Sequence, residues 1–111
     1  MWENVPPSAL VYLDSRTGPE LIHKAIRKAG SKRSVIKDIL LYEGRSPDVT
    51  KLNKIMRGEY GLPTYRFIRL ISFIAIPTEK SVKYVRKICT RDKKVLHVSA
   101  QTKGYAPSER K

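Results

Sequence analysis

Acidic side chains are scarce in this chain. Ten Asp and Glu stand against 23 Lys and Arg, for a formal net charge of +13. A metal-dependent nuclease needs clustered carboxylates to hold Mg²⁺, and no such cluster is readable here. Cysteine is nearly absent: the single Cys89 excludes an intramolecular disulfide and a Cys-based zinc site. That usage fits a reducing cytoplasm. The two histidines, His23 and His97, fall in different predicted elements, and neither has a neighbour at metal-ligand spacing. No pair of carboxylates shares a predicted face, and no phosphate-loop glycine pattern occurs. The expectation is therefore a non-catalytic protein with no metal or cofactor. Long apolar runs are also missing. The richest, "FIRLISFIAI", is too short to span a bilayer and contains Arg69. "MWENVPPSAL" lacks the basic-then-apolar order of a secretory leader. A cytoplasmic protein is expected, nucleoid-associated if prokaryotic, with no membrane partner.

What is abundant is positive charge, and nucleic acid is the commonest partner of so small and so basic a chain. The charge comes in blocks. Residues 1–22 hold one basic and three acidic side chains, and residues 23–57 hold ten basic and three acidic. Residues 58–79 hold two of each, and residues 80–111 hold ten basic and two acidic. Two basic blocks thus flank a neutral, apolar centre, as expected of a core helix between two polyanion-facing surfaces.

Along the chain, "ALVYL" (9–13) reads as a short strand with Val11 and Leu13 on one face. "TGPE" opens a first helix over about 19–29. Thr17 and Glu20 stand at capping-box spacing, Ile22, Ala25, Ile26 and Ala29 form the apolar stripe, and Gly30 closes the helix. Ser31 caps a second helix, about 32–41, burying Val35, Ile36, Ile39 and Leu40. Ser46 caps a third, about 47–57, with Pro47 in its first turn and Gly58 after it. Thr64 caps a fourth, about 65–75, the most apolar of all. A fifth is predicted over about 79–89, with Val82, Val85, Ile88 and Cys89 inward. "KVLHVSA" (94–100) is strand-like and is the expected partner of 9–13. The predicted organisation is an N-terminal arm or strand (1–16), a helical domain (17–90), a strand (91–100) and a basic tail (101–111).

The third helix separates its side chains most clearly. At about 100° per residue, Val49, Leu52, Ile55 and Met56 fall on one side. Thr50, Asn53, Lys54 and Arg57 fall on the other. That second row contains no acid and suits a duplex. Asn pairs bidentately with adenine, Arg or Lys pairs with guanine, and a Thr methyl meets a thymine methyl. Ser46 and Asp48 lie at the helix start, where backbone N–H groups receive phosphate; Asp48 could accept from cytosine N4 instead.

Five short helices with a polar third one, from "LIHKAIRKAGSKRSVIKDIL" through "SPDVTKLNKIMRGEYGLPTYRFIRLISFIAIP", resemble the Cro and phage-repressor (lambda-repressor-like) helix-turn-helix family. The resemblance covers roughly residues 19–88. It implies a mainly α fold of five helices and sequence-specific binding of double-stranded DNA in transcriptional regulation; the runs 9–13 and 94–100 add an expected two-strand appendage from the termini. Carried over by position, it implies base reading by Asp48, Thr50, Asn53, Lys54 and Arg57. It implies a phosphate clamp at Ser31, Lys32 and Arg33. Ser46, Lys51, Lys93 and Lys94 are further expected phosphate contacts. A domain reading few bases often doubles its site by dimerising, so a homodimer is a further candidate; the sequence leaves the oligomeric state open. One departure stands out. "LLYEGRSP" is longer than the family's tight turn of about three residues, so the angle between helices two and three is not given by the resemblance.

RNA is the alternative partner. Six tyrosines stand among basic residues and could stack on unpaired bases. Tyr60 is the best placed, in a loop, whereas Tyr42, Tyr65 and Tyr84 read as core-edge residues. Trp2, the only tryptophan, is expected to anchor the N-terminal strand or to meet another subunit.

Overall fold

The pattern of apolar residues assembles into helices packed on one face of a small antiparallel sheet. The computed structural model describes residues 2–42, 49–90 and 95–96. A 3-10 turn (Trp2–Asn4) leads to β1 (Leu10–Leu13) and α1 (Gly18–Ala29). α2 (Lys32–Ser34) runs directly into a π turn over Val35–Ile39. α3 (Val49–Met56), β2 (Leu62–Pro63) and α4 (Thr64–Ile74) follow. The short α5 (Thr78–Ser81), a 3-10 turn (Val82–Tyr84), β3 (Val85–Cys89) and β4 (Val95–Leu96) complete the described elements. The fold is mainly helical.

Core and helix ends follow from the residues present. Leu21, Ile22 and Ala25 of α1 meet Val35 and Ile36, Leu52 and Ile55 of α3, and Phe67, Leu70 and Ile71 of α4 in one buried cluster. Each Leu, Ile, Val or Phe side chain among them contributes about 1.5–3 kcal/mol when fully removed from water. Gly30 ends α1 at φ +102°, as its position predicts. Ser31 caps α2, its Oγ accepting from Ser34 N–H at 3.1 Å. The π turn is closed from α4. Arg69 Nε donates to Ile39 O at 3.0 Å and Arg66 Nη1 donates to Leu40 O. Two guanidiniums thus satisfy carbonyls at the negative end of this helical segment. Trp2 anchors the N-terminus: its Nε1–H donates to Ser81 Oγ at 3.0 Å, and its ring lies 5.1 Å from Phe67.

Four expectations change. The capping box at Thr17 does not form. Asp14 Oδ1 accepts from the N–H groups of Arg16 and Thr17, while Thr17 Oγ1 donates to Lys83 O. Thr64 does not cap α4 through its side chain. Its N–H and its hydroxyl both donate to Ala9 O, at 2.8 and 3.0 Å, tying the start of α4 to the β1 side of the molecule.

The helix predicted over 79–89 is helical only as far as Tyr84, as α5 and a 3-10 turn; Val85–Cys89 is strand, and Cys89, expected inward, is only half-buried. β3 pairs antiparallel with β1, Leu10 opposite Cys89, Val11 opposite Ile88 and Tyr12 opposite Lys87, and then Leu13 opposite Val85. The register shifts between Tyr12 and Leu13, so Arg86 is an extra residue bulged out of the ladder. That insertion spaces the inward residues Val85 and Ile88 by three instead of two, which imitates a helical repeat.

The fourth change follows from the third. The sheet order is β2-β1-β3-β4. β3 occupies the place beside β1 where residues 94–100 were expected, and β4 pairs with β3 instead. The sheet is therefore not a two-strand appendage of the termini: β2 and β3 come from within residues 17–90, and Val11, Leu13, Val85 and Ile88 belong to the core.

Candidate nucleic-acid interface

α3 begins from an amphipathic sequence and keeps its two sides apart. Leu52, Ile55 and Met56 are buried, and Val49 packs partly against the core. On the other side Thr50 is exposed, Asn53 and Lys54 are half-buried, and Arg57, just past the helix end, is exposed. Gly58 turns the chain at φ +79°, its N–H donating to Ile55 O at 3.0 Å. Arg86 Nη2 donates to Gly58 O at 2.9 Å. The end of α3 is thus held against the sheet.

The structure brings the two predicted groups of residues together at one point. Lys32 Nζ, from the start of α2, donates to Asn53 Oδ1 at 3.2 Å. An ammonium only donates, so this bond sets the amide's orientation and leaves its NH₂ end to donate elsewhere. Arg33 is exposed next to Lys32. Ser31 is exposed too, but its hydroxyl is engaged with Ser34, accepting from the N–H and donating to Oγ at 3.0 Å. Lys51 lies over the Tyr42 ring at 4.4 Å. Ser46, Asp48, Lys93 and Lys94 lie outside the described residues, as does the segment 43–48 that joins the π turn to α3.

Three features of the site were not read from the sequence. Arg57 Nε donates to Glu59 Oε2 at 2.8 Å, on the surface. That hydrogen bond raises the Arg57 pKa and lowers that of Glu59. The i, i+2 spacing in "RGE" was the available signal. Lys54 Nζ stands 5.2 Å from the Tyr60 ring centre, so the loop tyrosine flanks the row. Tyr42 is enclosed between Lys51 and the Arg66 guanidinium, 4.2 Å away. Burial pushes its phenol pKa up, Arg66 opposes that shift and Tyr65 adds to it. Tyr84, read as a core-edge residue, is buried beneath α1, whereas Tyr65 is 47% exposed.

Among the described residues, no helix is long and apolar enough to cross a membrane. Comparison with protein-family models, curated proteins and solved structures returned no match.

Proposed function

We propose that this is a sequence-specific, non-catalytic duplex-DNA-binding protein of the repressor-like helix-turn-helix type, acting in transcriptional control. α3 enters the major groove. Thr50, Asn53, Lys54 and Arg57 face base edges, and Lys32 and Arg33 approach phosphate. The observation that carries this reading is the Lys32–Asn53 hydrogen bond. It joins a cation at the start of one helix to an amide in the polar row of the next. A residue that must read a base edge needs a fixed rotamer, and a bond from a neighbouring helix supplies one. The Asn53 NH₂ is left to donate to a purine N7 or a guanine O6. The net charge supports the same partner.

Selection of bound sequences from a random duplex pool tests the reading. A defined consensus is expected, and a palindromic one would identify a dimer. On that consensus, Asn53→Ala should cost about 1–3 kcal/mol of binding free energy, and much less on random duplex. Equal losses on both would reduce Asn53 to a phosphate contact. Failure to enrich any sequence would refute sequence-specific binding.

Glu59 makes a second expectation available. Its carboxylate competes with DNA for Arg57, and the pair is exposed and easily opened. Glu59→Gln should tighten duplex binding about three- to tenfold at 50 mM salt, with the gain shrinking as salt screens the removed charge. Fluorescence anisotropy titrations at two salt concentrations measure this. Weaker binding by the variant would mean that Glu59 holds Arg57 in its binding position.

A further inference from the structure

The outward face of the sheet carries a groove of about 660 Å³ that no part of the duplex reading uses. Its lining includes Leu10, Tyr12, Tyr65, Lys87, Cys89 and Val95. The size suits a nucleotide-sized ligand. Aromatic and apolar surface dominates the lining, the one ionic group described there is the Lys87 ammonium, and none of the described lining residues is acidic. Tyr65 and Val95 are exposed at 47% and 54%.

The bulge at Arg86 explains how cations reach this face. Strict alternation along β3 would place neighbouring residues on opposite faces. With Arg86 inserted, Val85 and Ile88 keep their places in the core while both Arg86 and Lys87 stay out of it. Both then flank one aromatic ring. Lys87 Nζ lies 5.0 Å and the Arg86 guanidinium 5.7 Å from the Tyr12 ring centre. Bulges re-aim side chains in this way next to binding sites. Arg66 lies 5.0 Å from the second ring, Tyr65.

We propose that this sheet face binds unpaired nucleotides of a single-stranded nucleic acid, with bases stacked on Tyr12 and Tyr65 and with Lys87 and Arg86 on the phosphates. A duplex hides its base faces within the stack, whereas a single strand offers both a π face and a phosphate within one nucleotide. The groove meets both demands. Its rings supply stacking surface, and the Lys87 ammonium now resting over Tyr12 moves to the incoming backbone, with Arg86 beside it. The occupant follows from charge complementarity: cations with no carboxylate among the described lining residues, on a chain of net charge +13. The groove lining shares no residue with the α3 row, although Arg86 also donates to Gly58 O at the end of α3.

The test is fluorescence anisotropy with 12-mers of oligo(U), oligo(dT) and an abasic deoxyribose phosphate strand, at 50 mM salt. Both base-bearing strands are expected to bind more tightly than the abasic strand, which carries the same charge. Tyr12→Ala should weaken them about 5- to 150-fold, as loss of a stacked base does. Tyr12→Phe, which keeps the ring, should stay within about twofold of the parent, since stacking needs only the π face. Comparable affinity for oligo(U) and oligo(dT) would show that base and phosphate suffice, while preference for oligo(U) would assign a contact to the 2′-hydroxyl. Photocrosslinking of 5-iodouridine strands to the unmodified protein should label Tyr12 or Tyr65, and it does not depend on how the variants fold. Duplex affinity should be unchanged by Tyr12→Phe, and single-strand affinity unchanged by Asn53→Ala, so each site can fail separately. The proposal is overturned by equal binding of the abasic strand, by crosslinks confined to other residues, or by Arg57→Ala weakening single-strand binding as much as Tyr12→Ala.

Discussion

Duplex affinity is expected to fall about a thousandfold between 50 and 200 mM salt, for on the order of 6 phosphate contacts. The cause is release of counterions condensed on DNA: each neutralised phosphate contributes a slope of about −0.9 in log K against log salt. Lys32, Arg33, Lys51, Lys54 and Arg57 are the described cations around α2 and α3. Lys93 and Lys94 add charge from outside the described residues. Their contributions separate by position. Arg33→Ala removes an exposed cation and should flatten the slope by about one unit, leaving base preference intact, because phosphates carry no direct sequence information. Lys32→Ala removes a cation and also the bond that orients Asn53. It should flatten the slope by a similar amount and in addition erode the consensus at the base Asn53 reads. Titrations at four salt concentrations, on consensus and random duplex, give both numbers for each variant. A flat salt response in the parent protein, or no duplex binding at 50 mM, would remove the electrostatic basis of the functional reading.

Much of the helical part of this fold was legible because it carries local punctuation, although the Thr17 and Thr64 caps do not form. The start near Pro19, the stop at Gly30, the Ser31 cap and the stop at Gly58 are local signals, and the structure realises each of them. The polar row on α3 was legible for the same reason, since a 3.6-residue period needs no knowledge of neighbours. The sheet was not. β3 was hidden by one inserted residue, Arg86, which spaces Val85 and Ile88 like a helix stripe. The pairing of 9–13 failed with it, because choosing a strand partner requires knowing every strand. Bonds between distant residues were illegible in principle. Nothing in the spacing of Lys32 and Asn53, or of Arg66 and Leu40, says that they meet. These are also the bonds that turn a polar helix face into a candidate site. Arg57–Glu59 is the exception, being close enough in sequence to have been read.

The orientation of α3 depends on one small residue, and replacing it should have the largest effect on the fold. Gly58 sits at φ +79°, where a β-carbon is strained, and a β-carbon built there would lie 2.3 Å from Leu13 O. Leu13 belongs to β1, which is hydrogen-bonded to β2 on one side and β3 on the other, so its carbonyl cannot easily retreat. Gly58→Ala therefore combines the left-handed penalty of about 1–2 kcal/mol with a backbone collision. A total loss of about 3 kcal/mol is expected, lowering Tm by roughly 12 °C or more. Gly30→Ala provides the contrast. Gly30 also has positive φ, at +102°, but a β-carbon there meets nothing within 4 Å. That variant should lose only the conformational term, about 1–2 kcal/mol. The difference between the two variants isolates the contact between the end of α3 and β1. It also links fold to function, because Gly58 adjoins Arg57 and its carbonyl accepts from Arg86. At a temperature where both variants remain folded, Gly58→Ala should weaken duplex binding by moving Arg57, while Gly30→Ala should bind as the parent does. Thermal melts that place both variants within a degree or two of each other would mean that α3 does not close on β1 through Gly58.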